Sequence, residues 1–205
     1  MQLQIRSIAW QKPKKSWDSS TTTIHLFFYE WTIDLPELTT ADRQRLDLMK
    51  QRYLYHRQYG HLLEGAVNFL IVAPLLELAG FYDPPFHLRS EASIRLEIPD
   101  DNDTIYRGRI DCLIVQEHLW IVLVESKRTS FSVEVALPQI LAYRVAKPPS
   151  DRPTFGLVSN GAYSMFVKLH ERQYRFSDNF SLNRHKNELY DVLCVLNYLK
   201  LGEID

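Results

Sequence analysis

The sequence predicts an α+β fold (loosely α/β), a central mixed sheet flanked by helices, on three observations. Residues 40–58 and 61–79 carry helix-like patterning near the start of the chain. From residue 92 the pattern switches to period-two alternation and β-branched runs, the signature of strands. An amphipathic stretch over 182–199 then closes the chain, so sheet and helices must share one core.

The elements follow in order. The run TTTIHLFFYEWTIDL, residues 21–35, is β-branched and aromatic and reads as one long strand or a hairpin. Thr39-Thr40 is a plausible cap for a polar helix carrying Leu46, Met49, Tyr53 and Tyr55. A more apolar helix over 61–79 follows, stopped by Gly80, with a turn at Pro84-Pro85. SIRLEI is a strand, PDDND a polar loop, and YRGRIDCLIV and LWIVLVES are two further strands. Gln116, Glu117 and His118 alone separate the last two, which predicts a tight antiparallel hairpin. Residues 132–144 read as a helix and KPPSDRP as a loop. TFGLVSNG and SMFVKLHERQYRF are strands around a Ser159-Asn160-Gly161 turn. In the final helix Leu189, Val192, Leu193, Leu196 and Leu199 form the buried side.

The 205 residues suit one domain, residues 1–205, with its core over about 60–170. A composition 45% hydrophobic and 24% charged is that of a soluble globular chain. The net charge of −1 excludes the broad basic footprint of many nucleic-acid binders, so such contacts would need a local basic surface. Two cysteines, Cys112 and Cys194, are too few for a disulfide framework and read as buried thiols in a reducing compartment. Residues 1–10 lack the apolar stretch of a signal peptide. The most apolar window, 62–80, is broken by Glu64, Asn68, Pro74 and Glu77 and is a poor membrane span. A cytoplasmic location without a membrane partner is the expectation.

The chemistry concentrates in RGRIDCLIVQEHLWIVLVESKR. Asp111 lies on the first hairpin strand, while Glu125 and Lys127 lie two residues apart at the end of the second. Residues i and i+2 on a strand project to one face, so the two charged heads can share a site. The hairpin folds position 111 back beside about position 123. Converging carboxylates suit Mg²⁺, which prefers hard oxygen donors. Ile121, Val122, Leu123 and Val124 form an apolar run expected of a central strand, and charges that end such a run need partners. The alternative at this point is an ordinary ion pair emerging into solvent.

Gly108-Arg109-Ile110-Asp111, an apolar strand, Val124-Glu125-Ser126-Lys127 and then Gln139-Ile140-Leu141-Ala142-Tyr143 resemble the PD-(D/E)XK nuclease superfamily. The resemblance is closest to the RecB-like nucleases and the N-terminal nuclease domain of type I restriction enzyme R subunits. It covers about residues 94–169, and Phe155 to Gly161 is similar to the strand and turn that follow the Gln-x-x-x-Tyr helix in the restriction subunits. Gln139 and Tyr143 are spaced i, i+4 and share a helix face. The first motif is Ile-Asp rather than Pro-Asp, and no phosphate-binding Gly-x-x-x-x-Gly-Lys-Ser/Thr motif occurs, so no helicase motor is expected within these residues.

The resemblance implies a restriction-endonuclease-like core and metal-dependent phosphodiester hydrolysis, in DNA by preference. It implies Mg²⁺ or Mn²⁺ held by Asp111, Glu125 and the main-chain carbonyl of Ser126, with Lys127 orienting water or stabilising charge. Gln139 and Tyr143 would support the ligands. Many members carry an acidic residue on the helix ahead of the sheet; Glu64 in HLLEGAVNFL is the candidate, a supporting residue and a further metal ligand. Asn68 lies one turn on, and Glu77 reads as exposed. Arg107, Arg109 and Arg128 are the candidate phosphate contacts. A homodimer is a candidate assembly, since cutting both strands of a duplex favours one. The seven histidines show no paired ligand spacing, so no zinc site is expected. The alternative function is an inactive nuclease-fold module for DNA binding or protein assembly.

Overall fold

The computed structural model describes residues 34–99, 105–115, 119–123, 153–170 and 173–201, with backbone alone for Glu64, for the strands between 88 and 123 and for Gln173. The fold is α+β: helices packed on a seven-stranded sheet. Of the sequence-predicted elements, nearly all of the 21–35 strand and the 132–144 helix lie outside these residues.

Helix α1 spans Thr40–Arg57. Its start is a capping box: the Thr39 hydroxyl accepts from the Asp42 amide at 3.1 Å, and the Asp42 carboxylate accepts from the Thr39 amide at 3.0 Å. Leu46, Met49 and Tyr53, at i, i+3 and i+7, form its buried stripe. Tyr55 falls off that stripe and is 55% exposed.

The helix predicted over 61–79 is instead composite. An α-turn, α2 (Glu64–Val67), runs into a π-helical stretch, Asn68–Val72, and then into α3 (Ala73–Leu78). The Ala73 amide reaches back five residues to the Asn68 carbonyl. Pro74 supplies the physical reason: it has no N–H to donate and its ring crowds the carbonyl of the preceding turn, so the helix widens ahead of it. Pro84-Pro85 forms the turn that follows, through a cis peptide.

Strand β1 covers Leu88–Pro99, longer than the SIRLEI core, β2 Ile105–Val115 and β3 Leu119–Leu123. They form an antiparallel meander, with a bulge in β1 between Glu91 and Ile94. Strand β4 (Thr154–Ser159) pairs parallel with β3, and β5 (Tyr163–His170) pairs antiparallel with β4. The stretch read as one strand through residue 176 breaks in two: β6 (Gln173–Phe176) folds back antiparallel on β5. A short β7 (Phe180–Ser181) takes up the remaining edge of β5.

Helix α4 spans Leu189–Leu201, starting later than the 182–199 stretch suggests. The residues before it are held by specific polar contacts instead. Lys50 donates to the Arg184 carbonyl at 2.6 Å and to those of His185 and Lys186 at 3.3 Å. Glu188 accepts from the Ser181 amide and from Arg184. Backbone groups committed to these partners are not available to a helical ladder. All five leucines and valines expected on the buried side of α4 are buried.

The core lies between the helices and one face of β4 and β5, where Phe155, Leu157 and Phe166 meet side chains of α1, α3, the π segment and α4. On the other face Val158, Val167 and Leu169 are also fully buried. Burial on both faces makes β4 and β5 interior strands of the molecule. Cys194 is a free, half-buried thiol; burial, then the neighbouring Asp191, pushes its pKa up, so it stays protonated near neutral pH.

Candidate functional site

Strand register places one of the residues predicted from sequence, Asp111. Cys112 is the cross-strand partner of Val122, and the antiparallel register continued by one residue sets Asp111 opposite Leu123. Leu123 in turn partners Ser159, and Ser159 partners Ser164. Positions 111, 123, 159 and 164 thus form one lateral row across four strands. At about 4.8 Å per strand, Asp111 and Ser159 are roughly 10 Å apart along the row. The row has the parity of Phe155 and Leu157, which belong to the helix-covered face of β4.

The turn after Ser159 closes this end of the sheet. The Ser159 hydroxyl accepts from the Gly161 amide at 3.1 Å and lies 3.1 Å from the Ser164 hydroxyl. Asn160 accepts the Tyr163 amide through its side chain at 2.9 Å. Gly161 has φ +84°, the left-handed region that favours glycine. A Cβ there would stand 2.7 Å from Tyr53 and 3.0 Å from Val67, so only glycine lets the turn press against α1 and α2. Val67 lies one helical turn beyond Glu64, the first residue of α2. Burial pushes the Tyr53 phenol above its ordinary pKa, with Arg57 opposing the shift, so this neighbour of the turn stays neutral.

The predicted residues divide as follows. Asp111, Arg107 and Arg109 lie on β2 at alternating positions of one parity, and Glu64 opens α2. Arg109 is directly opposite Arg95 on β1, and Arg107 is opposite Glu97. Glu125, Ser126, Lys127, Arg128, Gln139 and Tyr143 lie outside the described residues. Asn68 is exposed, as is Glu77. Among the described residues no group of three or more His, Cys, Asp or Glu side chains comes together. No described helix is long and apolar enough to cross a membrane.

Sequence reasoning missed the contact of Gly161 with Tyr53 and Val67. The glycine after Ser-Asn marked a turn, but nothing in the residue order says which helix a turn abuts. Compared with family models, with curated proteins and with solved structures, the chain matches none of them.

Proposed function

We propose that the chain is a metal-dependent nuclease with a restriction-endonuclease-like core, hydrolysing phosphodiester bonds in DNA. One observation carries the reading: Asp111 stands across from Leu123, the last described residue of β3, and Glu125 and Lys127 follow Leu123 by two and four positions. On an extended chain that spacing shares a face with Leu123, and hence with Asp111. Further support comes from the sheet order, in which an antiparallel meander is followed by a strand parallel to its third member. The turn at Gly161 also brings the first turn of α2, which Glu64 opens, to the end of the sheet where the row lies.

The donor set fits Mg²⁺ or Mn²⁺, because the carboxylates of Asp111 and Glu125, the Ser126 carbonyl and the carboxylate of Glu64 are all hard oxygen ligands. A bound divalent ion supplies Lewis-acid polarisation of the phosphate and a more acidic water. Lys127 would orient the attacking water and offset negative charge developing on the phosphoryl oxygens. Gln139 and Tyr143 hold the ligands in place. Arg107, Arg109 and Arg128 take the flanking phosphates; arginines directly opposed, as at 95 and 109, repel one another unless an anion lies between them.

The test is incubation of the full chain with plasmid and single-stranded DNA in Mg²⁺ or Mn²⁺, beside Asp111→Ala. Cleavage by the parent that is lost in the variant and in chelator supports the reading. Cleavage that persists in Asp111→Ala at the parent rate overturns it. The near-neutral net charge of −1 favours a second reading, an inactive module of the same fold that binds DNA or assembles with protein.

A further inference from the structure

The solvent-facing flank of α1 carries an arrangement that neither the core nor the proposed active site uses. Arg52, Tyr55, His56 and Tyr59 recur at i, i+3, i+4 and i+7, so they align as one ridge along the end of the helix and the turn after it. Tyr55 is 55% and Tyr59 76% exposed. Their rings meet edge to face at 5.4 Å, and Tyr55 meets His56 likewise at 5.2 Å. The exposed His61 follows, and Phe69, on the π segment, is 82% exposed.

Exposed aromatic rings are costly to leave in water, and a cluster of them marks a surface that something covers. Charge decides what covers this one. Between Asp47 and Glu64 the chain has no carboxylate, while it has Lys50, Arg52 and Arg57 and two histidines. Lys50 and Arg57 are committed to backbone carbonyls, but Arg52 makes no ion pair among the described residues. An acid-free, cationic ridge on a chain whose net charge is −1 is a local basic surface, complementary to a polyanion. Exposed aromatic rings beside an arginine suit one polyanion in particular: a single nucleic-acid strand, whose bases offer open π faces for stacking and whose phosphates pair with the arginine. A duplex hides those faces inside its own stack.

The geometry points to the Arg52–Tyr55–His56–Tyr59 ridge as a docking surface for single-stranded nucleic acid. Tyr53, on the same helix, abuts the Gly161 turn, so the ridge flanks the end of the sheet where Asp111 stands in the row. As a statement about the substrate of the proposed nuclease site the inference rests on that reading; as a binding surface it stands without it.

The experiment is fluorescence anisotropy of the full chain with a labelled 20-nucleotide single strand and with the corresponding duplex, in chelator so that nothing is cut. Tyr55→Ala/Tyr59→Ala should weaken single-strand binding roughly tenfold or more. Tyr55→Phe/Tyr59→Phe, which keeps the rings, should bind as the parent does. Arg52→Glu should also weaken binding and flatten its dependence on salt. Parental single-strand affinity in a folded Tyr55→Ala/Tyr59→Ala protein overturns the inference. So does an equal loss for duplex and single strand. Self-association that this variant abolishes while oligonucleotide binding stays intact would assign the ridge to a second copy of the chain and overturn it too. If the ridge passes but Asp111→Ala still cuts, only the nuclease reading falls; if cleavage needs Asp111 but the ridge variants bind normally, only the ridge falls.

Discussion

The Tyr190 hydroxyl donates a hydrogen bond to the Asp47 carboxylate at 2.7 Å and so joins α4 to α1. Asn187 donates to the same oxygen at 3.0 Å, and the Arg43 guanidinium lies 5.2 Å from the Tyr190 ring centroid. These bonds, Tyr190 first, hold the Asp47 carboxyl below its ordinary pKa. They raise that of Tyr190.

A pH dependence follows. A carboxyl whose folded pKa is depressed stabilises the fold above its unfolded value near 4 and loses that contribution as pH falls through the folded value. Tyr190→Phe should lower Tm at pH 7 by about 2–4 °C, since an exposed bond to a charged group contributes about 1 kcal/mol. The gap between variant and parent should close below about pH 4, read by thermal melts across pH. A gap unchanged at pH 2.5 would refute the assignment to Asp47.

Gly161→Ala should be far more costly. The substituted residue would keep a left-handed φ and drive its Cβ into Tyr53, which is 2% exposed and has nowhere to swing. Strain and overpacking together cost about 2–4 kcal/mol. Tm should fall by roughly 5–15 °C, measurable by calorimetry.

Lys127→Ala should reduce DNA cleavage by about 10²–10³ while thermal stability stays near the parent's. Single-turnover cleavage at saturating Mg²⁺ measures it. A rate within twofold of the parent would remove Lys127 from the proposed mechanism.

Calorimetric titration with Mn²⁺ separates the nuclease from the inactive module. The nuclease reading expects saturable binding that Asp111→Ala abolishes. A flat titration of the parent would favour the module, which has no use for a cation there.

Periodicity revealed much of the architecture because it is a local property. The stripe of Leu46, Met49 and Tyr53 and that of Leu189, Val192 and Leu196 declare two helices and their buried sides. The three residues between Val115 and Leu119 declare an antiparallel pair. The helix-like patterning of 61–79 hid the π segment, since hydrophobicity does not register one missing amide at Pro74. Residues 182–188 looked helical by composition, yet Lys50, more than a hundred positions away, claims their carbonyls.

For the candidate site the division is similar. Residue order alone singled out Asp111, Glu125 and Lys127 and put position 111 near 123, because a short turn admits few registers. That Ser159 lies two strands from Asp111 depends on β4 running parallel to β3 after a long connection, a pairing that local pattern leaves open. The meeting of Gly161 with Tyr53 and Val67 joins segments about a hundred residues apart. Contacts of that kind arise when separate apolar surfaces leave water together, a property of the whole chain and not of any stretch within it.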